Sequence, residues 1–336
     1  MQVASNDAPL TSRHRIALVV CYFGKLPPYI RLVFRSAAFN PTIDWFVFGD
    51  QPPDFEPPPN VNFIVTSIPE LEKTMARACG TPVRIEHVID LTRLKPTYGL
   101  CFETHLKGYG FWGHVDLDMI YGDLRAFLPD DVLDHYPRVY CRGHLSLFRN
   151  TPEVNRYFML HAPGAPGYEG ILANQDRRQF DEWPGIWKIF RYHRIPQYHK
   201  EVIADIKPPN LKTITRFEAE ELQNYPSQIF YWHQGKTFQA YYHREGGLFD
   251  HEIAYVHFQK RDLEGPDFDP DTARGFTIGP GGFTPYDREN LSPEEMNLLN
   301  SDRPRPWRDV LRRRIDRVKR KIKKLRNRNN LQPRSK

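Results

Sequence analysis

The chain has 336 residues, 40% hydrophobic and 26% charged, with 30 prolines and 21 glycines. Those proportions suit a folded chain with a sizeable core and exclude collagen, wholesale disorder and a disulfide scaffold. The net charge of +6 joins two unlike regions, because residues 301–336 carry +13 and the first 300 carry −7. An acidic body argues against general polyanion affinity, so no nucleic-acid partner is expected.

Residues 1–14 read as a flexible polar segment. The apolar run Ile16–Phe23 lacks a small-residue cleavage site, so it reads as a buried parallel strand and not as a signal peptide. It is the longest apolar run, far short of the roughly 18 residues needed to cross a membrane. Pro28–Asn40 follows with helical spacing of Ile30, Val33, Phe34 and Ala37, stopped at Asn40-Pro41. Trp45–Phe48 is a second strand closed by Gly49-Asp50, and a proline-rich loop leads to a third at Val61–Thr66. Ser67 caps a helix that ends at Gly80. A further helix over Pro96–Lys107 and a strand at Phe111–Val115 complete a βαβαβ rhythm. That rhythm predicts an α/β fold with a mostly parallel central sheet and flanking helices.

Later segments are aromatic strands at Arg138–Cys141, Ile229–His233 and Ile253–Phe258. Ala162–Gly170 and Gly265–Pro285 read as loops. The organisation expected is a catalytic domain over 15–262, a loop-rich linker over 263–303, and a basic amphipathic helix and tail over 304–336. Cys21, Cys79, Cys101 and Cys141 are widely spaced, as free thiols in a reducing compartment would be.

The stretch Gly108–Asp123 carries the chemistry. An apolar strand runs into Asp116-Leu117-Asp118. In extended backbone, residues i and i+2 share a face, so both carboxylates meet one ion at the strand's carboxyl end, where open α/β sheets bind ligands. Two hard oxygen donors suit Mn²⁺ or Mg²⁺ shared with a diphosphate. An EF-hand is excluded, because Ile120 stands where its fifth position needs Asp or Asn. Turn carboxylates after a strand are the structural alternative.

Leu94–Phe102 and Gly110–Leu124 resemble the DxD region of GT-A glycosyltransferases. They are most similar to a bacterial glycosyltransferase-like family with an FWG-x-x-DLD-x-x-x-GD pattern. The opening Cys21–Pro27, the strand end Trp45–Asp50 and Val256–Arg261 extend the resemblance. It implies a nucleotide-sugar fold in which Asp116, Asp118 and a late histidine, His257, hold a metal that bridges the donor diphosphate. Asp116 would contact metal or ribose. Lys260 and Arg261 would face the leaving diphosphate, while Tyr22, Phe23, Gly24 and Asp50 would border base and ribose. Lys95 and Arg93 would line the donor pocket. A lone histidine in an apolar strand also reads as core, and Asp50 as a plain turn residue.

For the catalytic base, Asp181 and Glu182 in Phe180–Gly185 resemble the acidic acceptor-site motif of inverting transferases, with Gln175-Asp176 as the rival. His144 and Trp183 are acceptor-side candidates, and Trp112, Trp187 and Trp232 are further stacking candidates. Other motifs fail. Gly108–Gly113 matches GxGxxG but leads into a strand, no GxxxxGK[ST] or GxSxG occurs, and Tyr255 replaces the second histidine of a zincin.

In the tail, Leu311, Ile315, Val318, Ile322 and Leu325 form an apolar stripe among Arg and Lys. Such a helix suits an anionic membrane surface, a short coiled coil or a solvated charge run. The expected protein is a metal-dependent Leloir glycosyltransferase, with UDP the expected nucleotide. It would move a sugar from a nucleotide-sugar donor to a glycan or lipid-linked saccharide acceptor in cell-envelope polysaccharide synthesis. The expected location is cytoplasmic, peripheral on the inner face of the membrane. A nucleotidyltransferase using the same acid pair, or an inactive glycan- or membrane-binding module, are the rivals.

Overall fold

A computed structural model describes residues 13–200, 202–206, 211–213, 222–243, 247–259, 263–279, 281–286 and 291–300. The strands are β1 (Ile16–Cys21), β2 (Ile43–Gly49), β3 (Val61–Val65), β4 (Phe111–Val115), β5 (Met119–Tyr121), β6 (Arg138–Val139), β7 (Leu145–Arg149) and β8 (Gln197–Tyr198). They continue as β9 (Ala204–Asp205), β10 (Gln228–His233), β11 (Lys236–His243), β12 (Gly247–Ile253), β13 (Tyr255–His257), β14 (Gly275–Ile278) and β15 (Phe283–Pro285).

The central sheet has the order β3-β2-β1-β4-β7-β6-β8. Its first four strands are parallel, β7 runs antiparallel to both β4 and β6, and β8 is parallel to β6. The fold is therefore mixed α/β with a mostly parallel sheet, as the sequence predicts. β1 gives the reason. Ile16, Leu18 and Val20 join one apolar layer while Ala17 and Val19 join the other, so the strand is buried on both faces. Helix α1 (Ile30–Ala38) covers the first face, and α2 (Ile68–Cys79) covers the second with Leu71, Met75 and Cys79. The Ser67 hydroxyl accepts from the Glu70 amide while the Glu70 carboxylate accepts from the Ser67 amide, and Gly80 closes α2 at φ 67°.

Two smaller sheets pack beside the first. One is antiparallel in the order β12-β11-β10-β14-β15, and the other is β5-β13-β9. The latter matters most for the site. Met119 of β5 pairs with His257 of β13, and His257 pairs with Asp205 of β9. Side chains at the end of α1 fix β5 in place. Asn40 donates to the Gly122 carbonyl at 2.9 Å and accepts from the Leu124 amide at 2.9 Å, and Ser36 accepts from the Tyr121 amide at 3.1 Å. Gly122 has no room for a side chain, since a Cβ there would lie 2.5 Å from the Thr237 hydroxyl.

Three expectations need correction. The helix over Pro96–Lys107 is instead a 3₁₀ turn at Lys95–Thr97 and one α-turn at Tyr98–Cys101. Gly99 sits hard against Trp112, where a Cβ would be 2.2 Å from the indole nitrogen, so packing overrides helical spacing. Gly265–Pro285 is not all loop, because Phe276 and Ile278 point inward on β14, which pairs with β10. Glycine and proline around them hide that two-residue alternation. Within the segment 263–303, β14, β15 and a helix over Pro293–Asn300 are regular elements, and Met296 is fully buried. The strand expected over Ile253–Phe258 divides at Ala254 into the end of β12 and β13. The basic helix expected over 304–336 lies outside the described residues. All four cysteines are unbridged, with the Cys79 and Cys101 sulfurs 3.8 Å apart. No helix among the described residues is long and apolar enough to cross a membrane.

Candidate active site

A cleft of about 700 Å³ opens at the carboxyl ends of β1 and β4. Its floor is Val20–Tyr22 and Val115–Asp118, its walls include Lys95 and Asp181, and Asp205 and His257 close it. The size suits a nucleotide-sized ligand.

Asp116 and Asp118 leave β4 as the alternation predicts. The Asp116 amide donates to the His144 carbonyl at 3.1 Å, and the Phe258 amide donates to the Asp118 carbonyl at 3.0 Å. That second bond carries β13 alongside the acid pair. His257 Nε2 lies 3.4 Å from Asp118 Oδ1, while Nδ1 donates to Asp205 Oδ1 at 2.8 Å. Burial alone would lower the imidazole's pKa, but the bonds to Asp118 and Asp205 outweigh it and push it up to about 10. Burial likewise opposes ionisation of Asp205. The bonds from His257 and Gln259 prevail and hold its carboxylate below its ordinary range.

The ligating atoms of Asp116, Asp118 and His257 lie within 4.8 Å of one another. Two carboxylate oxygens and an imidazole that gives up its Nε2 proton, with its far nitrogen held by a further carboxylate, fit a divalent cation. His144, Asp205 and His257 form a second such group. It is buried throughout, whereas the acid pair is open to the cleft, and both groups compete for His257. The His144 ring stacks on His257 at 4.2 Å between centroids, and Tyr255 lies 3.3 Å from its Nδ1. Burial and the neighbouring His257 charge push its pKa well below the ordinary value, so it is neutral.

Lys95 is the buried cation of the cleft. Its ammonium donates to Asp116 Oδ1 and to the Gly143 carbonyl, each at 2.6 Å, and lies 4.0 Å from Asp181 Oδ2. Desolvation would deprotonate it, but the charges of Asp116 and Asp181 prevail and raise its pKa. Asp181 is 3% exposed, and burial raises its carboxyl to about 6; Lys95 pulls it down, and Glu182 and Asp116 push it up. Its Oδ1 has no hydrogen-bond partner among the described residues. A buried carboxylate with a free oxygen and a pKa near neutrality is placed to take a proton. Glu182 accepts from Gln179 at 2.7 Å and from the Gly143 amide at 3.4 Å. A Cβ on Gly143 would lie 2.7 Å from the Asp181 carboxylate, so this close approach requires glycine.

The cleft thus gathers Tyr22, Lys95, Asp116, Asp118, His144, Asp181, Glu182 and His257. Phe23, Gly24 and Asp50 do not line it. Asp50 accepts from the Gly24 amide at 2.7 Å and shapes the turn after β1, while Phe23 packs in the core. Arg93 pairs with Asp90, and Asp176 with Arg178, and none of the four lines the cleft. Trp112 and Trp232 are core residues, whereas Trp183 and Trp187 line a neighbouring cavity. Lys260 and Arg261 lie outside the described residues. Sequence reading missed Asp205 and Gln259. The signal for Asp205 was an ionisable residue inside the apolar run Val202–Ile206. Gln259 has φ 41°, uncommon for a residue with a side chain, and its amide donates to Asp205 at 2.7 Å.

Residues 18–287 match a family described as a family of unknown function (DUF6625). Among solved structures, the galactosyltransferase LgtC in complex with donor and acceptor sugar analogs is 10% identical, with a TM-score of 0.37. That alignment covers 87% of this chain and 99% of LgtC. An active-site mutant of LgtC is 11% identical with a TM-score of 0.39, at the same coverage. The apo-form glycosyltransferase GlyE of Streptococcus pneumoniae TIGR4 is 9% identical with a TM-score of 0.30, over 56% of this chain and 46% of GlyE. No curated protein matches the sequence.

Proposed function

The chain belongs to the DUF6625 family, and we propose that it is a metal-dependent glycosyltransferase of the GT-A type, using a nucleotide-diphosphate sugar. The observation that carries this reading is the convergence of Asp116, Asp118 and His257 at the carboxyl edge of a mostly parallel sheet, on the floor of a cleft of about 700 Å³.

Asp116, Asp118 and His257 would hold Mn²⁺ or Mg²⁺, which supplies Lewis-acid stabilisation of the leaving diphosphate. Asp205 orients His257, and Lys95 holds Asp116 while adding positive charge beside the diphosphate. Asp181 accepts the acceptor hydroxyl proton as that oxygen bonds to the anomeric carbon and the bond from that carbon to the diphosphate oxygen breaks. Gly143 and Gln179 steady the adjoining Glu182. Tyr22 borders the nucleotide. The donor is a UDP-sugar and the acceptor a glycan or lipid-linked saccharide. The basic sequence over 304–336 supports peripheral attachment at the cytoplasmic face of an anionic membrane.

The test is thermal shift with UDP, with and without Mn²⁺. UDP stabilisation that requires Mn²⁺ and vanishes in Asp118→Ala supports the reading. Its absence in the wild-type chain sinks it. Release of pyrophosphate instead of UDP during turnover would assign the site to nucleotidyl transfer.

A further inference from the structure

A second cavity, of about 490 Å³, adjoins the cleft, and Gln179 and Glu182 line both. Its other walls hold an unusual pairing of side chains. Trp183 and Trp187 meet edge to face with centroids 4.9 Å apart and planes at 71°, forming an apolar corner. Trp183 is 49% exposed, whereas Trp45, Trp112 and Trp232 are each at most 1% exposed. Core packing explains those three and does not explain Trp183.

Positive charge surrounds this corner. The Arg191 guanidinium lies 5.2 Å from the Trp187 centroid and the Lys188 ammonium 5.5 Å from that of Trp183. Neither has a carboxylate partner among the described residues. Arg142, 5% exposed, also lines the cavity but already has a partner of its own. Glu182 also faces the cavity, where it accepts from Gln179 and the Gly143 amide among its partners.

Indole surfaces suit the C–H faces of a pyranose ring, and guanidinium groups suit carboxylate or phosphate. We infer that this cavity is an acceptor subsite for an anionic saccharide, one whose ring bears a carboxylate or a phosphate. The inference rests on the glycosyltransferase reading for its acceptor role. The shared wall at Glu182 sets the bound saccharide beside Asp181, the proton acceptor next to it in the chain. A neutral sugar would find the same aromatic corner but leave Arg191 and Lys188 without a counter-charge, so charge provides the discrimination.

The test uses the full chain and calorimetric or saturation-transfer titration with glucose and galactose, their uronates and their 6-phosphates. At least one anionic series should bind about tenfold tighter than its neutral parent. Which series binds tighter identifies the group, carboxylate or phosphate. Arg191→Ala should reduce that preference to about twofold and Arg191→Lys should restore much of it. Equal or tighter binding of the neutral sugars, no binding of any anionic form, or an unchanged preference in Arg191→Ala would overturn the inference. Mn²⁺-dependent UDP binding measured in the same preparation separates the two readings. If UDP binds and the anionic preference is absent, only this subsite fails. If the preference is present without UDP binding, only the donor reading fails.

Discussion

Asp205 Oδ1 accepts a hydrogen bond from His257 Nδ1 at 2.8 Å, and this fixes the ring so that Nε2 faces Asp118. A carboxylate behind a ligating imidazole sets its orientation and strengthens it as a donor. Asp205→Asn should therefore weaken Mn²⁺ binding about 10- to 100-fold. Calorimetric titration of the full chain with Mn²⁺ checks this, and unchanged affinity would remove Asp205 from the site.

Asp181 links pH to both activity and stability. In its proposed role as proton acceptor it must be ionised, so the rate should climb as pH rises through about 6. The stability effect has the opposite sign. A carboxyl whose folded pKa exceeds its ordinary value holds its proton more tightly in the folded chain. That contribution is complete below about pH 4 and disappears as pH rises through about 6. Asp181→Asn should abolish transfer yet gain stability relative to wild type between pH 4 and 7, by up to about 3 kcal/mol. Denaturant melts of both proteins at the two pH values measure this. A constant difference would contradict the buried-acid assignment.

Lys95 stands between two carboxylates, and its removal strands both. Lys95→Met should destabilise the chain by about 3–5 kcal/mol, since breaking a buried pair leaves uncompensated charge. In whatever folded protein is recovered, the acid limb of the rate profile should move to higher pH, because Lys95 holds the Asp181 pKa down. A profile that stays in place would show that Lys95 does not act on Asp181.

Gly143 makes room for the Asp181 carboxylate. The methyl group of Gly143→Ala, 2.7 Å from Oδ2, must displace either the backbone or the acid. Transfer should fall about 100-fold, as misplacement by an ångström does, while Mn²⁺ affinity changes little. Turnover and metal titration on the same variant check the split.

The parts of this fold legible in sequence were those whose signal is local. β1 and β4 show as apolar runs because a parallel strand buried on both faces has no polar side, whereas β3, at the sheet edge, exposes Asn62 and Val65. Asp116 and Asp118 are legible because strand alternation alone puts both on one face. His257 emerged only through the resemblance, since nothing within β13 distinguishes a ligand from a core histidine. Asp205 stayed hidden because β9 is two residues long and owes its place to pairing with β13. Asp50 carried the right residue type at a strand end, yet its oxygen is taken by the Gly24 amide.

The pairing of β5 with β13 also sets a timetable for the emerging polypeptide. Asp116 and Asp118 leave the ribosome long before His257, and a chain halted anywhere short of β13 lacks the imidazole of the proposed cation site. Late closure of this kind is the slow, high-contact-order part of folding. Assembly of the site therefore waits on synthesis through β13, and products cut before it should fail to bind Mn²⁺.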